Sequence, residues 1–407
     1  MQPIINSLLD LDYYKLTMGQ VVFKRYAEVP VVYGFTNRTN NVRLAEIVSE
    51  HLLREELDHA CSLTFTPTEL HYLASNRCGD RPMFCSRYLD FLANLRLPGY
   101  ELHRDDGTYY LQFPGRWSEV IYWETLALSI MNELYYRTMV PAGDLVAVQV
   151  EGQTRLEQKI KTLLTRPDIT LSDFGTRRRF SRSWQDHVVQ TMATCLPKQF
   201  RGTSNVALAM KYGLEPIGTS AHEMFMVMSG IMHERDDTVR SSHNRVLQDW
   251  WEEYGWELSI ALTDTFGSSF FFRDMTAQQA AAWKGLRHDS GDPLVFGENA
   301  IGFYQSHGVD PTTKLLVFSD GLDLETILTI ANCFAGRIRV TFGWGTNLTN
   351  DLGRGALSLV VKAIEANGHR TVKLSDNLAK ATGAQEDIVR FKRIFGHTVT
   401  LAKECRY

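Results

Sequence analysis

From about residue 135 onward the chain repeats one local grammar. A short apolar or β-branched run ends in a cluster of small and polar residues, and a helix-like stretch leads to the next run. The endings read ITLSDFGTRRR, KQFRGTSN, EPIGTSAHE, ELSIALTDTFGSS, GLRHDSGDP, LLVFSDGLD and IRVTFGWGTN. Strands alternating with helices build βαβ units, and seven endings approach the eight strands of an α/β barrel. A closed or nearly closed barrel is therefore expected over residues 136–364, with a doubly wound open sheet as the alternative. Reacting groups of such barrels stand just past the strands, at the C-terminal rim, where these Gly, Ser, Thr, Asp, His and Arg clusters fall.

The first 135 residues read differently. VVYGFTNRT has the pattern of a strand, RLAEIVSEHLLREELDHAC that of one amphipathic helix, and YELHRDDGTYYLQF that of a hairpin turning at Asp106 and Gly107. After a Pro114-Gly115 turn, SEVIYWETLALSIMNELYYRTM is helical in period. These segments predict an N-terminal α/β layer over 1–135, with 365–407 packing back on it. A chain of 407 residues exceeds what one small core accommodates, which fits two such parts.

Composition narrows the function classes. With 44% hydrophobic residues, 22% charged and a net charge of -4, the chain is neither disordered nor equipped with the Lys and Arg surplus that non-specific nucleic-acid binding uses. The six cysteines (Cys61, Cys78, Cys85, Cys195, Cys333, Cys405) show no C-x-x-C spacing and read as reduced. The beginning, MQPIINSLLDLDYYK, lacks a signal peptide's basic start, and no apolar run reaches membrane-spanning length, so the cytoplasm is expected and no membrane partner is.

Three clusters carry candidate chemistry. In GTSAHE, Ser220 precedes Glu223 by three residues, the spacing of a capping box, which predicts a helix start with His222 in its first turn. Helix dipole and free N–H groups there favour a neutral imidazole and a bound anion. Glu223 is then occupied by the cap, so any carboxylate that orients His222 must come from elsewhere. Met226 stands where an H-E-x-x-H zinc site needs its second histidine. In DFGTRRRF an aromatic ring and three guanidinium groups suit a flat anionic ligand, and an extended backbone would turn Arg177 and Arg179 to one side and Arg178 to the other. GLRHDSGDP sets Arg287 near Asp289 and Asp292, a cation for phosphate beside carboxylates for ribose hydroxyls or magnesium. Gly321, Gly343 and Gly345 sit at late strand ends, where backbone can approach a phosphate. Each cluster also has a plain structural reading, as a satisfied helix-start histidine, a basic strand end or an Asx-turn loop. His233–Asp237 and His103–Asp106 lack ligand spacing and read as solvated loops, and no metal ligands are assigned.

Taken together, DYYKLTM, DFGTRR, GTSAHE, RHDSGDP, SDGLD and FGWGTN occur in the order seen in nicotinate phosphoribosyltransferases, a family this chain resembles over nearly its whole length. The resemblance implies an irregular α/β barrel with an N-terminal α/β layer completed by the C-terminal segment. It implies a step of NAD biosynthesis in which nicotinate and phosphoribosyl pyrophosphate give nicotinate mononucleotide and pyrophosphate, with Mg2+ and with ATP hydrolysis coupled through a phosphohistidine. By the same matching, His222 is the phosphorylated residue, and Tyr14, contributed across a homodimer interface, sandwiches the pyridine ring with Phe174. Thr219 and Arg287 contact nicotinate, Arg177 and Asp289 hold phosphates and ribose, and Gly321, Gly343 and Thr346 hold the 5′-phosphate. KLSD at 373–376 is also similar, but NLAKATGAQ after it departs from the family pattern, so no ligand role is assigned to that stretch. A nicotinamide enzyme is the nearest alternative, although Ser204 stands where it would carry an acid. A barrel aldolase or isomerase of a phosphorylated sugar would need a Schiff-base lysine or paired carboxylates at a strand end, and among the seven endings only Lys198 and Lys284 fall near one.

Overall fold

The N-terminal layer begins with helix α1 (Tyr14–Arg25) and strand β1 (Pro30–Asn37), and adds a hairpin of β2 (Glu101–Asp105) and β3 (Thr108–Arg116). The hairpin turns at Asp106 and Gly107, both with positive φ (33° and 78°), as a two-residue turn between twisted strands requires. Pro114 and Gly115 are not a turn; they lie inside β3, opposite Val32 and Val31 of β1. Because β2 pairs with β3 only as far as Gln112, Pro114 has an open side where its missing N–H removes no ladder bond. The single helix expected over 43–61 is split into Leu44–Ile47 and Glu50–Ser62 by extended backbone at Val48 and Ser49. Helix α2 (Trp123–Met139) is buried continuously from Trp123 to Leu134, so it is a core element and not a surface connection.

The computed structural model describes residues 2–403. Past helix α3 (Leu145–Leu164) come seven strands: β4 (Leu171–Asp173), β5 (Phe200–Thr203), β6 (Glu215–Pro216), β7 (Ile260–Leu262), β8 (Gly285–His288), β9 (Leu315–Phe318) and β10 (Arg339–Trp344). Each carries one of the seven sequence endings. Their order in the sheet is β6-β5-β4-β10-β9-β8-β7, and every pairing is parallel. The last strand closes onto the first, as in a barrel, but no bond joins β6 to β7. The result is a curled half-barrel with one open seam. Between those two edge strands the chain forms α4 (His222–Ile231) and α5 (Asp236–Tyr254). Residues His222 to Gly230 of α4 are all buried, so this helix runs through the protein interior.

The return to the N-terminal layer starts earlier than residue 365. Strand β11 (Leu359–Ala366) pairs antiparallel with β1 and is followed by β12 (His369–Arg370), giving the sheet order β12-β11-β1-β3-β2. The last described helix, α6 (Gln385–Phe395), meets that layer at its edge, where Glu386 pairs with Arg370 of β12 (2.8 Å), and turns its aromatic residues to the barrel. Its Phe395 stacks on Phe266 at 4.0 Å and meets Phe270 edge-on, so it seals the barrel beside β7. Buried side chains of both layers form one continuous hydrophobic core, which fixes the N-terminal layer against the barrel rim. Among the described residues the cysteines are free, Cys195 being exposed; Cys405 lies outside the described residues. No helix of the described residues is long and apolar enough to cross a membrane.

Candidate active site

One cavity opens at the C-terminal rim of the half-barrel. The β4 ending contributes Phe174 and Arg177, the β6 ending Thr219 and His222, and the β8 ending Arg287 and Asp289. Gly321 after β9 and Thr346 after β10 complete that arc, and the N-terminal layer adds Asp12 and Tyr14.

His222 is the first residue of α4, but the predicted cap is absent. The N-cap is Ala221 and no side chain caps the helix. Glu223 turns away from Ser220 and ion-pairs with the fully buried Lys15, while accepting a hydrogen bond from Tyr33 (3.0 Å). A buried carboxylate beside a buried ammonium gains more than a neutral cap bond, which explains the departure. The carboxylate that orients His222 comes from the β8 ending: His222 Nε2 lies 2.8 Å from Asp289 Oδ2, and Nδ1 lies 3.0 Å from Thr265 Oγ1. Burial, and then the charge of Lys373, push the imidazole down to about 4, against the opposing pull of Asp264 and Asp289. The ring is therefore neutral at physiological pH. Burial works against the charge on Asp289, yet His222, Arg287 and Lys380 together hold its carboxyl well below the usual range.

The DFGTRRR segment is not extended. Thr176–Arg178 form one turn of 3-10 helix, and this reassigns the arginines. Arg179 is fully buried in a two-pronged pair with Asp10 (2.6 and 2.8 Å), whereas Arg177 and Arg178 line the cavity. Arg177 reaches Glu124 (3.2 Å) and Asp12 (3.5 Å) and lies over the Tyr14 ring at 5.9 Å. Glu124, on α2, is a buried junction: Tyr14 donates its hydroxyl to it (3.2 Å), and Lys15 (2.6 Å) and Lys362 (3.1 Å) pair with it. Burial alone would raise this carboxyl, but Lys15, Lys362 and Arg177 hold it well below its ordinary value. Burial brings Lys362 down to about 8 despite Glu124.

Tyr14 stands in the wall of its own chain's cavity. The segment before it is bonded to β5 and the residues after it, with Tyr13 N–H donating to Ser204 O (2.7 Å) and Asp12 bridging Asn205. A side chain on Gly218 would collide with the Tyr14 backbone, so the glycine lets this segment dock against Thr219. Within this chain the Tyr14 ring therefore lines the cavity together with Phe174. Gly343 does not line the cavity. Any Cβ there would overlap the Phe174 ring, so its bare backbone makes room for that ring, while Gly345 and Thr346 face the cavity. Arg287 donates to Thr219 Oγ1 (3.3 Å) and to Ser220 O (3.0 Å).

Several residues in the cavity wall or directly behind it are not singled out by the sequence. Lys373 and Lys380 belong to the C-terminal stretch left without a role; Lys380 donates to the Asp289 carbonyl (2.9 Å) and pairs with Asp320. Asp264, in the marked β7 ending, joins His222 and Asp289 in a group whose ligand atoms lie within 4.8 Å of one another. Its Oδ1 is buried without a hydrogen-bond partner, and its Oδ2 accepts from Ser290 (2.5 Å). An oxygen-rich pair with an unsatisfied carboxylate oxygen fits a hard divalent cation. Asp12 lay two residues from the marked Tyr14, and Lys373 opens KLSD, so both had signals. Glu124, in the middle of an apolar helix pattern, had none.

The family models agree with this geometry. The nicotinate phosphoribosyltransferase (NAPRTase) family model matches residues 169–398, and the model of that family's N-terminal domain matches 9–132. Among solved structures, the nicotinate phosphoribosyltransferase of Porphyromonas gingivalis is 32% identical, with a TM-score of 0.86, over 97% of this chain and 100% of that one. The Vibrio cholerae nicotinate phosphoribosyltransferase is 33% identical, with a TM-score of 0.87, over 99% and 95%. A putative nicotinate phosphoribosyltransferase of Saccharomyces cerevisiae is 29% identical, with a TM-score of 0.85, over 98% and 100%. With its strand order, its rim cavity and these matches in accord, the chain belongs to the nicotinate phosphoribosyltransferase family.

Proposed function

We propose that this chain transfers the phosphoribosyl group of phosphoribosyl pyrophosphate to the ring nitrogen of nicotinate, and that ATP hydrolysis is coupled to the transfer through a phosphohistidine at His222. The observation that carries this reading is the placement of a neutral, carboxylate-oriented His222 in the same cavity as Tyr14, Phe174, Thr219 and Arg287. The flat pyridine fits between the Tyr14 and Phe174 rings, with its carboxylate on Arg287 and Thr219. Arg177 and Asp289 take the phosphates and the ribose, and Gly321 and Thr346 take the 5′-phosphate, with Gly343 acting from behind through Phe174. A C–N bond forms at ribose C1 as the C1–O bond to pyrophosphate breaks, so the protein's task is alignment and stabilisation of the departing charge. Asp264 and Asp289 would hold Mg2+, which when bound supplies positive charge for pyrophosphate oxygens.

For the ATP half-reaction, Nε2 is the reacting nitrogen, because Asp289 on that side lines the cavity and Thr265 does not. At rest Asp289 accepts from Nε2–H. Nucleotide binding opens that contact, the proton moves to Nδ1 facing Thr265, and the Nε2 lone pair attacks the γ-phosphorus as the bond to ADP breaks. Water later hydrolyses the phosphohistidine to phosphate. Tyr14 and Phe174 both line the cavity of one chain, and the homodimer expected from the resemblance stays part of this reading. The free cysteines suit the cytoplasm, where we place the enzyme.

A second reading, nicotinamide as substrate, draws on Asp12. Ser204 is neutral, but its hydroxyl donates to Asp12 (2.6 Å), a cavity carboxyl that burial raises above its ordinary value. Asp12 is also engaged by Arg177, which favours the anionic substrate. Product analysis with each pyridine and labelled ATP tests both halves. Nicotinate mononucleotide together with acid-labile label that disappears in His222→Ala is the expected result; exclusive use of nicotinamide, or no label, overturns it.

A further inference from the structure

The cavity wall after β10 is one turn of helix, Thr346–Thr349, preceded by Gly345. A single turn does not hold itself, because nucleation costs more than its few bonds return. Inside this segment Leu348 N–H and Thr349 N–H donate to Gly345 O, and Asn350 N–H donates to Thr346 O. The Asn347 carbonyl lies in the last turn, where helices leave carbonyls without internal partners. It is met by Lys159, which comes from α3, a helix separate from the rim.

The Lys159 side chain is buried, with the residue 7% exposed, and it does not line the cavity. Its ammonium donates to Asn347 O and to Asp351 Oδ2 (2.7 Å), and lies over the Trp344 ring at 5.3 Å. Those contacts bracket the cavity-facing residues Gly345, Thr346 and Asn347 on both sides in sequence. A cation at the C-terminal end of a helix is favourable, and here it also satisfies an orphan carbonyl. Burying an ammonium is costly, so an apolar residue would serve better if only packing were required. Arg155, one turn earlier on α3, holds the other Asp351 oxygen (2.8 Å), and α3 docks so closely that a side chain on Gly152 would strike Trp184 and Leu352.

We propose that Lys159 is a positioning residue for phosphate-ester binding: it clamps the Gly345–Asn347 wall from behind and so sets the affinity for the 5′-phosphate of the ribosyl substrate. The inference rests on the function proposed above. Lys159→Met should raise KM for phosphoribosyl pyrophosphate about tenfold, with kcat and KM for nicotinate within about twofold of wild type, and Lys159→Arg should restore most of the loss. Calorimetric titration with ribose 5-phosphate, using ribose as the control, should show the same weakening in Lys159→Met. Parallel rises in KM for both substrates, or a lower melting temperature with both KM values unchanged, assign Lys159 a purely structural role and overturn the proposal. Unchanged ribose 5-phosphate affinity overturns it whatever the catalytic assay shows. If the wild-type protein makes no product from nicotinate, the proposed function fails, and the ribose 5-phosphate titration still decides Lys159.

Discussion

Among the described residues, two buried histidines each meet a half-buried aspartate, and they differ in what surrounds them. His222 meets Asp289 at 2.8 Å, and His243 on α5 meets Asp274 at 2.7 Å; the two histidine residues are 4% and 1% exposed. His243 is caged by aromatic rings: Phe225 stacks on it at 5.0 Å, and Phe270 and Phe271 meet it edge-on at 5.2 and 5.6 Å. It ties α5 to α4 and does not line the rim cavity. His222 has oxygen partners at both nitrogens and borders that cavity with a second carboxylate, Asp264, nearby. A His–Asp contact is therefore a fastener in one place and a candidate reacting group in the other. Access to a charged cavity separates them, not the pair's own geometry.

The comparison breaks most sharply on phosphoryl labelling. His222→Ala should lower acid-labile label from ATP by at least about a hundredfold, whereas His243→Ala should keep it once folded. Equal labelling in both variants would erase the distinction. Stability should respond in the opposite sense. His243→Ala removes the ring stack and a buried partner of Asp274, and should cost about 2–4 kcal/mol in denaturant unfolding, while His222→Ala should cost less than about 1 kcal/mol.

The third test is pH. A neutral imidazole is the nucleophile, and burial sets its folded value at about 4, so labelling should stay level as pH falls from 8 to 5 and decline only toward 4. An unshifted histidine would lose about tenfold by pH 5.5; that loss in single-turnover labelling at saturating ATP would refute the shifted value. The smallest effect concerns the α4 start. Since Ser220 makes no cap bond, Ser220→Ala should change stability by less than about 0.5 kcal/mol, where loss of a working cap costs about 1 kcal/mol.

How far the site could be read beforehand depended on the range of the interactions. The α4 start was visible in GTSAHE, but the role of Glu223 was not, because the S-x-x-E spacing competes with an ammonium 208 positions away. The arginines of DFGTRRR were recognisable as a group, yet which of them faces ligand depended on a 3-10 turn and on Asp10, 169 positions from Arg179. The KLSD stretch carried cavity lysines that an unfamiliar continuation concealed.

By itself the sequence determined the seven parallel strands, the hairpin at Asp106 and Gly107, and the rim position of His222, Arg287 and Asp289. Those follow from strand period, turn chemistry and helix alternation, all written within a few neighbouring residues. Only the tertiary structure decided that the barrel stays open between β6 and β7, that β11 leaves the barrel to pair with β1, and that Tyr14 lines the same cavity as Phe174. It also decided that Glu124 gathers Tyr14, Lys15, Arg177 and Lys362 into one buried junction. Burial makes a charge seek whichever partner the fold brings within reach, and that choice is made across the chain, where local pattern carries no information.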